Sequence, residues 1–106
     1  PLRDATSTLE EAFDWLMETA ANDPAAPGAA AVDFLRLMGL TAMAHMWAGM
    51  AAKSLDNLEG DNSGFYATKI TTARYFMRRL LPQTRSLLDA VRSGSDLLMA
   101  LDAEAF

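Results

Sequence analysis

A nucleophile paired with a base would have to use His45, because the chain holds one histidine and no cysteine. His45 lies in the stretch LMGLTAMAHMWAGMAA (37–52), with Thr41 and Gly49 four residues to either side and no carboxylate at i±3 or i±4. A histidine so placed has neither an orienting acid nor a nucleophile on its own helix face, and it reads as a packed or partner-contacting side chain. A metal site is not indicated either: no E-x-x-H or H-x-x-x-H spacing occurs. Paired carboxylates do occur, at Glu10/Asp14 and Asp14/Glu18. A general acid or base needs a desolvated setting to shift its pKa, and these residues belong to the polar side of a helix, where they read as solvated charges. Phosphate-cradling loops of the GxGxxG or GxxxxGK[ST] type are absent, and the Gly60…Gly64 turn lacks both the lysine and the strand they need. No catalytic, cofactor-binding or metal-ligating residue is assigned.

What remains is contact chemistry. Met38, Met43, Met46 and Met50 could line a cofactor box, which nothing else supports, or form an adaptable packing surface; core plus interface is the preferred reading. Trp47 sits in the apolar stretch and is expected to be buried. Trp15 falls to one side of its helix's apolar stripe, so it is either an interface anchor or a cover for the terminal segment. The candidate interface is therefore Trp15, Met43, His45, Met46, Trp47 and Met50. Arg74, Arg78 and Arg85 gather on one side of the third helix. That is a solvated face in most proteins, though such a helix can also bind an acidic partner or anionic lipid.

The chain's 106 residues suit one domain with a modest core. The lack of cysteine and of a secretory signal makes a cytoplasmic home the expectation. The longest uncharged run stops short of the roughly 20 residues that span a bilayer, so membrane insertion is not expected. A net charge of −5 argues against nucleic acid. That charge is uneven. Asp4, Glu10, Glu11, Asp14, Glu18 and Asp23 outweigh Arg3 at the start, while Lys69, Arg74, Arg78, Arg79, Arg85 and Arg92 outweigh Asp89 later, so the first and third helices should attract each other.

The elements that position these residues all read as helices. Alanine, leucine and methionine favour helix, β-branched residues are scarce and no period-two alternation is sustained. A first helix is expected from Thr6 or Ser7, where Ser7/Glu10 and Thr8/Glu11 have capping-box spacing, with Leu9, Phe13, Leu16 and Ala20 inward, until Asn22-Asp23-Pro24. Pro24–Gly28 is a connector. A second helix runs from about Ala29 to about Leu58 with Gly39 and Gly49 inside it, each a cost of roughly 1 kcal/mol that close approach of a neighbouring helix would offset. A third runs from about residue 63 to Ser93, with the stripe Tyr66, Ile70, Ala73, Met77, Leu80, Leu88 and Val91 bent but in phase across Pro82. Gly94 ends it, Ser95 can cap a short helix from Asp96 to about Leu101, and the last residues dock or fray. Short connectors make consecutive helices antiparallel. The predicted fold is an all-α, antiparallel bundle of three long helices plus a short C-terminal helix. Its second helix has no polar face and must be covered on every side.

Three blocks carry a family resemblance. They are Asp33-Phe34-Leu35-Arg36-Leu37-Met38-Gly39-Leu40 on to Trp47; Phe65-Tyr66-Ala67-Thr68-Lys69, then Ala73-Arg74-Tyr75-Phe76 and Leu81-Pro82; and Gly94, Leu98-Met99, Leu101 and Glu104-Ala105-Phe106. From about Ala29 onward they span about three quarters of the chain. In order and separation the chain resembles the C-terminal helical domain of bacterial acyl-CoA dehydrogenases, in the subfamily that includes methylmercaptopropionyl-CoA dehydrogenase. Such enzymes remove a proton α to a thioester with a glutamate and pass hydride to FAD. Both groups belong to the preceding core, so the resemblance places no such residue here and no cofactor in this chain. It implies a noncatalytic C-terminal piece of a longer FAD-dependent oxidoreductase of fatty acid metabolism, whose partners are the catalytic core and a second subunit in a homo-oligomer. Two other readings stand beside it: a stand-alone helical protein-binding module with a Met-rich groove, and peripheral membrane attachment through the third helix.

Overall fold

The computed structural model describes residues 1–105; Phe106, which closes the third block, lies outside the described residues. Among the described residues every regular element is helical: α1 (Leu2–Thr19), α2 (Ala26–Asp56), α3 (Phe65–Tyr75), a π-helical turn (Phe76–Leu80), α4 (Gln83–Val91), α5 (Asp96–Met99) and a closing 3₁₀ turn (Ala103–Ala105). The predicted helical bundle is what forms.

Several boundaries differ from the sequence reading. The first helix begins at Leu2, not Thr6, because nothing between Pro1 and Thr6 breaks a helix. Thr6 and Thr8 are therefore interior residues, and their hydroxyls donate to the carbonyls of Leu2 (3.0 Å) and Asp4 (2.7 Å) rather than capping. The second helix starts at Ala26, with Pro27 in its first turn, where a missing N–H costs nothing. The third, expected as one bent helix to Ser93, runs as α3, a π turn, the turn Leu81-Pro82 and α4. Leu81 N–H donates to the Phe76 carbonyl, five residues back, at 2.9 Å. The backbone stays right-handed helical through Phe76, Leu81 and Pro82. The extra residue shifts the phase, so Phe76 and Leu81 become buried while Met77 and Leu80 move to the edge. Ser95 does not cap α5 with its side chain.

α2 is the hub, packing against α1, α3, the π turn and α4, while α1 also packs on α4. Two core clusters result. Ala12, Ala30, Leu37, Leu87, Leu88 and Val91 join α1, α2 and α4; Ala5, Ala44, Phe76 and Leu81 join α1, α2 and the region around the π turn. Alanines make up half of the buried apolar residues, and Leu37 and Val91 are the largest side chains wholly enclosed. The buried line of α1 is Ala5–Ala12, so Phe13 turns outward (52 % exposed), as does Met17.

The radius of gyration is 18.6 Å, against about 13 Å for a compact chain of this length. The extents of 65 × 30 × 15 Å describe a flat slab. Its accessible surface is 7500 Å², whereas about 5,800 Å² suffices for a compact monomer of this size.

Candidate interaction surface

A slab cannot cover a helix that is apolar all round. Val32 (70 % exposed), Leu35, Met38, Met43, Met46 (67 % exposed), Met50 and Leu55 all reach solvent from α2. A Cβ added at Gly39 or Gly49 would meet nothing within 4 Å. The close helix approach expected at these glycines therefore does not occur inside the chain. The accessible surface exceeds that of a compact monomer by roughly 1,700 Å².

The candidate residues divide into two groups. Met43, His45, Met46 and Met50 are exposed along α2. His45 Nε2 lies 3.4 Å from Thr6 Oγ1. Thr6 commits its hydroxyl proton to the Leu2 carbonyl, so the imidazole is the donor. The tryptophans are only half buried. Trp15 packs against the α1/α2/α4 cluster; it lies on the core side of α1, not off it, because the inward line runs through the alanines instead of Phe13. Trp47 is not fully buried as expected. It flanks the second cluster with the Lys69 ammonium 5.9 Å from its ring, a cation–π contact that also takes in Phe65 at 5.3 Å. Phe13, expected to face inward, is exposed, and so are Met17, Val32, Leu35, Leu55 and the tail residues Leu97, Leu98, Met99 and Leu101, none of which the sequence marked as interface. For the tail, a signal was present: four large apolar residues in five positions.

Two grooves border α2. One, about 540 Å³, lies between α1 and α2, with Leu9, Phe13, Phe34 and Met38 in it and Glu10 and Asp14 on its rim. The other, about 350 Å³, lies between α2 and α3 beyond the first turn of α1. It is lined by Trp47, Ala51, Leu55, Ile70 and Met77, with Arg74 and Arg78 beside them. The expected attraction between the first and third helices appears as two exposed ion pairs, Arg85–Asp4 (3.8 Å) and Arg92–Glu11 (3.3 Å). Solvent screening keeps such pairs weak. Among the described residues Arg74 and Arg78 form no ion pair.

The start of α3 joins a glycine turn, Ser63 and Lys69, the makings of an anion site. The Asp61 carboxylate already bonds donors at that helix start. Its Oδ1 accepts from Ser63 N–H (3.0 Å) and Ser63 Oγ–H (2.6 Å), and its Oδ2 accepts from Tyr66 N–H (3.1 Å). These bonds, led by the Ser63 hydroxyl, hold the Asp61 carboxyl below its ordinary pKa, so an anionic pyrophosphate meets a carboxylate there. Among the described residues no three His, Asp or Glu side chains converge as metal ligands, and no helix is long and apolar enough to cross a membrane.

One junction ties the tail to the bundle. Gly94 turns the chain with φ +73°. Ser95 then donates its hydroxyl to Asp23 Oδ1 (2.5 Å) and its N–H to Asp23 Oδ2 (3.2 Å). The tail therefore leaves from the α1–α2 turn.

The family model described as "Acetyl-CoA dehydrogenase C-terminal like" matches residues 1–102. Among curated proteins none matches the chain.

Proposed function

We propose, for a chain that belongs to the acetyl-CoA dehydrogenase C-terminal-like family, the role of a noncatalytic accessory domain in an FAD-dependent acyl-CoA dehydrogenase. It packs on the catalytic core of a longer polypeptide and supports subunit assembly. The exposed apolar flank of α2 carries this reading. The surplus of roughly 1,700 Å² is about twice what one partner contributes to a standard interface, near 800 Å². Flavin, catalytic base and acyl-CoA site belong to the core. The enzyme acts in the cytoplasm, in fatty acid metabolism; the absence of cysteine is in keeping with that compartment.

Methionine oxidation tests the proposal. Peroxide should oxidise Met43, Met46 and Met50 quickly in the 106-residue chain at a dilution where it is monomeric, and several-fold more slowly in the intact enzyme, where core or sister subunit covers them. Equal rates overturn it.

The groove between α1 and α2 favours one alternative, a helical module that takes a basic amphipathic helix against Phe13, Phe34 and Met38 between the acidic rims of Glu10 and Asp14. A start codon directly before Pro1 would favour that reading; a dehydrogenase coding sequence continuous with Pro1 would remove it.

A further inference from the structure

We propose that two copies of this chain assemble by exchanging their tails, the segment 96–104 of each lying in the α2/α3 groove of the other. The inference rests on the assembly role proposed above and names the surfaces that meet.

The tail is an apolar segment without a cover. Leu97 is 84 % exposed, and Leu98, Met99 and Leu101 are exposed with it. Acids flank the segment: Asp96 before it, Asp102 and Glu104 after it. The groove has the opposite character. Its walls are Trp47, Leu55, Ile70 and Met77, and Arg74 and Arg78 stand on its rim. Each copy has a net charge of −5, so two copies repel at long range. The local match of an acid-flanked tail to a base-rimmed groove selects the one approach that reverses this.

The tail cannot fill the groove of its own chain. Ser95 is held at Asp23, beside the start of α2. Leu98 lies at most about 11 Å from Ser95 even when fully extended. From Ala26 to Ala51, which lines the groove, α2 rises about 37 Å. Occupation must come from another molecule. A two-fold arrangement with the slabs antiparallel brings the tail end of each copy beside the groove end of the other, and it closes after two copies. The axis then passes near Gly39, midway along that span, where the exposed backbone carries no side chain to hold the two α2 helices apart. The exposed flank of α2 becomes covered in the same step. The surplus of roughly 1,700 Å² per copy exceeds the ~800 Å² that a stable dimer needs from each partner.

Sedimentation equilibrium on the 106-residue chain tests this, with Leu98→Asp in the tail and Leu55→Glu in the groove. Both residues are exposed, so circular dichroism and the melting midpoint of each monomer should stay unchanged. The unsubstituted chain should be a dimer. Each variant alone should dissociate at least about a hundredfold more readily, two buried leucine contacts being lost per dimer. Mixing the two variants should restore dimer, because the good tail of one still finds the good groove of the other. A monomeric unsubstituted chain, a dimer indifferent to both substitutions, or a mixture that stays monomeric overturns tail exchange. The methionine oxidation comparison is separate. If the chain is monomeric at all concentrations while its methionines are protected in the intact enzyme, exchange fails and the accessory role stands; equal oxidation rates in the dilute, monomeric chain and in the intact enzyme remove the accessory role.

Discussion

Ser95 and Asp23, 72 residues apart in sequence, make a two-point hydrogen bond: hydroxyl to Oδ1 at 2.5 Å and backbone N–H to Oδ2 at 3.2 Å. The Ser95 hydroxyl is the chief cause that holds the Asp23 carboxyl below its ordinary pKa. This contact fixes where α4 ends, and where the tail begins, against the turn between α1 and α2. Replacing Ser95 by Ala removes one of the two bonds and should lower the thermal midpoint by a few degrees. Hydrogen exchange should quicken at residues 93–96 with little change in the middle of α2. A uniform increase across all helices would contradict a local latch.

The Asp23 and Asp61 carboxyls are both held below their ordinary pKa in the folded chain. A depressed carboxyl pKa means that the unfolded state binds protons first as pH falls. Their contribution is fully present above about pH 4 and disappears as pH drops through the lower folded values. Acid titration followed by circular dichroism should show this loss, and the Asp23→Asn, Asp61→Asn double variant should show a shallower acid limb than the parent chain. An unchanged limb would mean that the two carboxylates are not stabilising the fold.

Gly49→Ala offers a test with opposite signs in two settings. An added Cβ at Gly49 meets nothing within 4 Å, so alanine's better helix propensity should stabilise the isolated monomer by about 0.5–1 kcal/mol. Where the flank is covered, the added methyl occupies contact space and should weaken association. Stabilisation in both settings would place Gly49 outside the interface. Gly94→Ala should destabilise everywhere, by about 1 kcal/mol, because φ is +73° there.

Leu37 and Met46 lie on the same helix, one wholly enclosed and the other 67 % exposed. Leu37→Ala should cost about 2–5 kcal/mol in urea unfolding of the chain. Met46→Ala should cost within about 0.5 kcal/mol, its effect appearing only in the assembly. A large monomer penalty at Met46 would mean that α2 is covered within the chain after all.

Helix type was legible locally. Alanine and leucine content, the breaker runs Asn22-Asp23-Pro24 and Glu59–Gly64, and the glycine at 94 report on backbone preference over a few residues, which is where propensity and turn chemistry act. Exact starts were less so, because Thr6 and Thr8 satisfy themselves equally well as caps or as interior residues bonded to the carbonyl four back. The apolar character of α2, and hence its need for cover, was also in the sequence, being a property of one segment. Which side of α2 lacks cover was not. Periodicity tells how a helix turns only when one face is polar, and this helix has none. Its rotation is set by the simultaneous packing of α1, α3 and α4. The same holds for Trp15, which packs against the core because the buried line of α1 runs through Ala5 and Ala12 rather than the larger Phe13. It holds for the π turn, which places Phe76 and Leu81 inward at once. It holds most clearly for Asp23 and Ser95, two unremarkable polar residues until the fold closes the distance between them. Segment character is a local quantity, whereas helix rotation, groove position and long-range pairing depend on every packed element together, and only the tertiary structure decided them.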